Sequence, residues 1–206
     1  MSMINLEAAK EKLDTLGTIM FAPGETFLTD EEFNTLEALA ESLPREHVEV
    51  GDADEPNFLD VGRFMTDVEK IELVNRPTSD KAIEILGKPE LMEKYSFLLG
   101  VDKVFLRRMQ YNILHENSFV GLHLDTDSNP DYIVAIVIQF GREFEGGDYI
   151  VYGGDMPPRV FHPERHSITV SRCNFSHEVT KLTRGKRKSL VYFLSQYGAE
   201  NRRIRS

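Results

Sequence analysis

The stretch YIVAIVIQF, residues 132 to 140, decides the fold class. It is nearly all β-branched or aromatic, only nine residues long, and bounded by the turn residues SNPD before it and Gly141 after it. A run of this composition without polar alternation has apolar neighbours on both faces, so it predicts a strand buried between two layers. Working outward, short β-prone runs punctuated by turns continue on either side. Lys103 to Ile113 reads as a strand, and Asp148 to Tyr152, Ile168 to Ser171 and Lys188 to Leu194 follow, separated by EGGD, YGGD and Pro157-Pro158. No helix-length spacer separates these strands, which excludes a parallel sheet with crossovers and points to a sandwich, jelly roll or barrel.

The region before residue 100 has a different period. Thr29 and Glu32 stand at capping-box spacing, and Phe33, Leu36, Leu39 and Leu43 share one face of a helix that ends at Pro44. A second helical region runs from about Asp80 to Leu98, interrupted near Gly87 and Pro89 and closed by Gly100. The expected fold is mainly β with flanking helices (α+β), a double-stranded β-helix (jelly roll, cupin-like) core with N-terminal helices packed on it. Along the chain this gives a helical and mixed support region over 1–100, the β-helix core over 101–196 and a basic tail over 197–206, all in a single domain.

Composition narrows the classes of function. Of the 206 residues 41% are hydrophobic, enough for a core without disulfides, and the one cysteine, Cys173, fits a reducing, cytoplasmic location. The start MSMINLEAAKEKLDTLG mixes charges with isolated apolar residues, so no export signal is expected, and nowhere do the roughly 18 apolar residues of a membrane span run together. Residues 181 to 206 hold eight lysines and arginines against Glu200 alone, so the remainder is strongly acidic within a chain of net charge −10. An acidic surface repels phosphate backbones, and the basic end lacks interleaved aromatics, so neither nucleic acid nor membrane is expected as a partner. A small-molecule substrate is expected instead, since no added recognition domain is visible; oligomeric state is not written in the sequence.

Three segments carry chemistry. In His123-Leu124-Asp125, strand spacing puts an imidazole and a carboxylate on one face. His177 follows the strand SITVSRC, and two neutral imidazoles with one carboxylate form the facial triad that suits non-haem iron(II). Arg187 and Ser189 alternate onto one face at the start of SLVYFL, where a guanidinium fork and a hydroxyl can hold a carboxylate. Competing metal sets are His162 with His166 and His115 with Glu116, but Pro163 opposes a helix that would align the first pair. The EGGD turn lacks GK[ST] and a following helix, so it is read as a tight turn into a strand rather than a phosphate loop. Cys173 reads as a small apolar filler, the alternative being a nucleophile near His177.

HLDTD, EGGDYIVY and HEVTKLTRGKRKSLVYFL, at 123, 145 and 177, resemble the 2-oxoglutarate/iron(II) oxygenase superfamily, in particular its compact prolyl-4-hydroxylase-like branch. The resemblance covers about residues 103 to 196, and its most specific element is HEVTxxTRGxR. It implies that His123, Asp125 and His177 bind iron(II), and that Arg187, supported by Ser189, pairs with the far carboxylate of 2-oxoglutarate. Tyr111 resembles a strand tyrosine that hydrogen-bonds the same carboxylate. Dioxygen would be the second cosubstrate, and the keto acid would leave as succinate and carbon dioxide while a substrate C–H bond is oxidised. Because Asp125 occupies the position where related halogenases have Gly or Ala, hydroxylation is the expected outcome, with desaturation or ring formation as variants. Asp127 and Asn174 are candidate substrate contacts or turn caps. An amino acid or amino-acid-derived metabolite is the expected substrate; a peptidyl (prolyl-type) hydroxylase and a cupin-like metal-binding protein that does not use 2-oxoglutarate are the alternatives.

Overall fold

The computed structural model describes residues 4 to 50, 57 to 141, 143 to 153 and 156 to 198. Helix α1 (Leu6–Leu16) begins under the Asn5 side chain and stops at Gly17, whose φ of 72° lets its N–H reach the Leu13 carbonyl. The chain turns at once into β1 (Thr18–Phe21). Helix α2 (Asp30–Glu41) carries the expected capping box: Thr29 Oγ1 accepts from the Glu32 N–H at 3.2 Å, and Glu32 Oε2 accepts from the Thr29 N–H at 2.8 Å. Strands β2 (Glu46–Val50), β3 (Asn57–Asp67) and β4 (Ile71–Leu73) follow. Helices α3 (Thr78–Leu86) and α4 (Pro89–Leu99) are the two halves of the second helical region, divided at Gly87 and Lys88 and closed by left-handed Gly100.

From there strands dominate: β5 (Phe105–Leu114), β6 (Val120–His123), the single turn α5 (Asp125–Ser128), β7 (Val134–Gln139), β8 (Phe144–Gly146) and β9 (Tyr149–Gly153). Then come β10 (Met156–Phe161), β11 (Ile168–Arg172), β12 (Ser176–Val179), β13 (Leu182–Gly185) and β14 (Arg187–Ser195). All strand pairing among the described residues is antiparallel. The larger sheet runs β1-β11-β7-β14-β5-β3-β2 with β4 beside β3; a smaller one runs β10-β9-β12-β6, and β13 pairs β8. This is the expected jelly roll with helices on one face.

The two-residue period of the strands gives the larger sheet two different faces. Met109, Tyr111 and Ile113 of β5, Ile136 and Ile138 of β7, and Leu190, Tyr192 and Leu194 of β14 are buried in one cluster with Leu13, Phe33, Leu36, Leu86 and Leu98 of the helices. Each such side chain contributes about 1.5–3 kcal/mol on burial. The intervening residues of the same strands face a cavity between the two sheets. YIVAIVIQF is thus buried on both sides: Val134, Ile136 and Ile138 against the helices, Ala135 and Val137 against the cavity.

The change of period near residue 100 is not a change of sheet. β1 pairs β11, and β3 pairs β5 along most of its length, so the first hundred residues extend the larger sheet. Sequence periodicity missed β3 because its burial is irregular, with Asp60 and Arg63 half-buried and Gly62 lying where a Cβ would come within 3.0 Å of Leu43. Of the basic tail, residues 199 to 206 lie outside the described residues. No described helix is long and apolar enough to cross a membrane.

Candidate metal centre and cosubstrate pocket

The cavity between the sheets has a volume of about 420 Å³. His123 ends β6, and His177 lies directly opposite it on β12. Asp125 arrives differently from what the strand spacing suggested. The chain stays extended only through Leu124 (φ −111°, ψ 133°) and then turns into α5, whose first residue is Asp125. His123 Nε2 is 3.6 Å from Asp125 Oδ1, and His177 Nε2 is 3.6 Å from Asp125 Oδ2. One ligand atom from each of the three lies within 4.8 Å of the others.

Both imidazoles are set to offer Nε2. His123 Nδ1 sits 2.8 Å from the Gly121 carbonyl and His177 Nδ1 3.0 Å from the Phe175 carbonyl, so each Nδ1 carries the proton and donates it. Burial holds the His177 pKa below 6.5, with His123 adding to the depression and Asp125 opposing it. The carbonyl that orients His177 is itself fixed, because the Phe175 ring lies between Gly17 and Gly153, where a Cβ at either would approach it to 2.6 Å. Asp125 is buried at 8% exposure, and its Oδ2 has no hydrogen-bond partner. A buried carboxylate facing two imidazole lone pairs is electrostatically incomplete, and a divalent cation completes it; two nitrogens and one oxygen on one side suit iron(II).

α5 is anchored from behind by a polar network. Arg107, fully buried, lies 3.0 Å from Asp67 Oδ2 and donates to the Tyr197 carbonyl at 2.8 Å. Asn129 Nδ2 donates to Asp67 at 3.0 Å, and Asn129 Oδ1 accepts from the Asp131 N–H at 3.0 Å, fixing the segment after α5. Cys173 is buried beside Asp125; burial, with the neighbouring Asp125 carboxylate adding to it, pushes the thiol well above its usual pKa, which makes it a poor nucleophile. The apolar-filler reading therefore holds, with a contact to Asp125 that spacing did not reveal.

Arg187 and Ser189 face the cavity together, as their alternation required. Arg187 is 4% exposed, and its only hydrogen bond among the described residues runs from Nε to Gln139 Oε1 at 3.2 Å. Burial pulls its pKa down to about 10, opposed by Tyr149 and Asp148. No carboxylate of the described residues pairs with it, so it suits an anionic ligand. The EGGD turn makes room beside it: Gly147, at φ 67°, would with a Cβ approach Leu182 Cδ1 to 2.8 Å and Arg187 Cδ to 3.2 Å.

Other expected contacts fall elsewhere. Tyr111 is on the helix face of β5, where its hydroxyl donates to Glu41 Oε1 at 2.8 Å, so it does not reach the cosubstrate pocket. The tyrosine that does line it is Tyr149, whose ring centre is 5.2 Å from that of His177 and whose hydroxyl donates to Ser171 Oγ at 2.8 Å. Asp127 lines the cavity; Asn174 is exposed in the β11–β12 turn and does not. His162 pairs with Asp148 and His166 stacks on Phe33 at 4.5 Å, so they form no ligand pair, and His115 bonds Asp60 at 2.7 Å. Sequence reasoning missed Gln139 and the cavity-facing Arg108, Gln110 and Asn112, although the alternation in RRMQYNIL carries them.

No protein-family model matches the chain, and no curated protein matches it. Among solved structures, an oxidoreductase of the 2OG-Fe(II) oxygenase family from Burkholderia pseudomallei is 36% identical over 96% of this chain and 94% of its own, with a TM-score of 0.91. The chain belongs to the 2-oxoglutarate/iron(II) oxygenase family. This oxygenase shares its fold with a Trichoplax adhaerens prolyl hydroxylase solved with a hypoxia inducible factor peptide fragment, at 12% identity, 92% and 80% coverage and TM-score 0.71. It shares it also with SnoN, the non-haem α-ketoglutarate-dependent epimerase from nogalamycin biosynthesis, at 15% identity, 92% and 80% coverage and TM-score 0.70. The oxygenase uses iron(II), 2-oxoglutarate and dioxygen, and its triad and buried arginine fit the first two.

Proposed function

We propose that the chain is a single-domain, cytoplasmic hydroxylase of a small molecule in which His123, Asp125 and His177 hold iron(II) while Arg187 and Ser189 hold the far carboxylate of 2-oxoglutarate. The observation that carries this reading is Arg187, a buried guanidinium whose one hydrogen-bond partner among the described residues is the neutral Gln139, opening onto the same cavity as the triad. Iron(II) held by His123, Asp125 and His177 would supply dioxygen activation coupled to the oxidative decarboxylation of 2-oxoglutarate to succinate and carbon dioxide.

The chain's own residues do the rest. The Gly121 and Phe175 carbonyls accept from each Nδ1–H and so direct both Nε2 atoms to the metal position, and Asp125 would contribute the carboxylate that offsets the metal charge. Arg187 and Ser189 would hold the far carboxylate of the keto acid and so restrict its orientation in the cavity. Val137, Val179 and Val191 line the space where a substrate C–H bond would lie and keep water from it. A volume of about 420 Å³ accommodates a metabolite. Asp127 on the cavity wall would take a cationic group of an amino-acid-like substrate.

Anaerobic titration with iron(II) and 2-oxoglutarate tests the cofactor reading through the visible charge-transfer absorption of a chelated keto acid. The absorption is expected in the wild type, absent in His177→Ala and weakened in Arg187→Ala; iron binding without it refutes the reading. Turnover with peptides and none with free metabolites would replace the small-molecule substrate by a peptidyl one.

A further inference from the structure

The cavity holds a second arginine for which the proposed chemistry has no use. Arg108 faces it from β5, in line with Gln110 and Asn112 and opposite in phase to the core residues Met109 and Tyr111. Its Nε donates to Gln110 Oε1 at 3.0 Å, and Gln110 Nε2 donates to Asn112 Oδ1 at 2.9 Å, so the guanidinium is tethered by its inner nitrogen. Its carbon lies 5.8 Å over the Phe193 ring, which stacks on Tyr132 with ring centres 4.7 Å apart. Among the described residues no carboxylate pairs with Arg108, whereas its neighbour Arg107, on the other face, has Asp67 at 3.0 Å.

Strand register places this arginine away from the cosubstrate end. Arg187 stands opposite Leu114 and Arg108 opposite Phe193, six residues apart on β5 and so separated by about 20 Å of backbone. A five-carbon keto acid clamped by Arg187 does not extend to it. Two guanidinium nitrogens without a hydrogen-bond partner among the described residues, in a cleft walled by Phe193, Val191 and Ala135, match the fork and single charge of a carboxylate.

We propose that the substrate oxidised is a small carboxylic acid whose carboxylate is bound by Arg108, with its carbon chain directed along the apolar wall toward the triad. The inference rests on the oxygenase reading above and names the substrate class of that site.

The test uses the iron-loaded full chain and the twenty free L-amino acids together with aliphatic mono- and dicarboxylic acids, each paired with its primary carboxamide, plus short peptides with free or amidated C-termini. Succinate release is measured after anaerobic titration has established 2-oxoglutarate binding. At least one free acid is expected to stimulate release while its amide does not. Arg108→Leu is expected to raise the KM for that acid on the order of 10- to 100-fold with a smaller effect on kcat. Arg108→Lys should recover part of the loss, and 2-oxoglutarate affinity should be unchanged; Arg108→Gln serves if the leucine variant does not fold. Equal stimulation by acid and amide, stimulation by peptides alone, no stimulation by any acid, or an unchanged KM in the variants overturns the proposal. Loss of the charge-transfer absorption in the wild type would instead remove the cofactor reading, and this inference with it.

Discussion

Replacing Arg187 by methionine is expected to stabilise the ligand-free protein while abolishing its response to 2-oxoglutarate. Burial pulls this guanidinium down from the usual arginine range to about 10, which corresponds to about 3 kcal/mol against the folded state at neutral pH. Because the folded value is depressed, that cost is present throughout the range below it and is relieved only as pH rises through about 10. The variant loses the 3.2 Å bond to Gln139, whose unpaired Oε1 costs about 1 kcal/mol. The net gain is about 2 kcal/mol, or about 4–8 °C in Tm for a chain of this length. With iron(II) present, a hundredfold excess of 2-oxoglutarate over its Kd should add about 2.7 kcal/mol to the wild type and little to the variant. Urea denaturation of both proteins, with and without the keto acid, measures all four quantities. A ligand-free variant less stable than wild type, or one that gains as much from 2-oxoglutarate, would show that Arg187 is satisfied within the fold and refute the clamp.

Arg107, its counterpart in another setting, should behave with the opposite sign. Arg107→Met leaves Asp67 buried without its cation, so a loss of about 3–5 kcal/mol is expected in urea denaturation, and a loss under about 1 kcal/mol would contradict the network. Gly147→Ala introduces a methyl at φ 67° against Leu182 and Arg187 Cδ, and 2-oxoglutarate affinity measured by titration should fall about tenfold while metal affinity holds. The ligand-free protein should lose stability as pH falls below 6.5 toward the lower folded-state pKa of His177, because the unfolded chain takes up that proton first. His177→Phe should flatten this slope between about pH 7 and 5, and an unaltered slope would assign it to another group.

What the sequence disclosed depended on whether a signal was local and in phase. The Thr29 capping box, the glycine and proline punctuation of α3 and α4, and the i, i+2 pair Arg187 and Ser189 are relations within a few residues, and each appears as read. Tyr111 failed because residue type was matched without its face. Met109, Tyr111 and Ile113 form one apolar set, and that phase alone sends Tyr111 to the helices. Asp125 was found for a reason only half right: the spacing from His123 was correct, but a helical turn rather than a pleat delivers the carboxylate. Gln139 against Arg187, Cys173 against Asp125 and Asp67 against Arg107 join residues far apart in the chain, and no periodicity encodes such meetings.

The two faces of β5 and β14 bear on how such an enzyme changes over generations. Residues 109, 111 and 113 answer to the helices, and a substitution there is judged by whether the protein folds. Residues 108, 110 and 112 line the cavity, and on the proposal made for Arg108 a substitution there is judged by what is turned over. One strand thus carries two records that mutation can edit separately, so a descendant can acquire a new substrate while inheriting its scaffold intact.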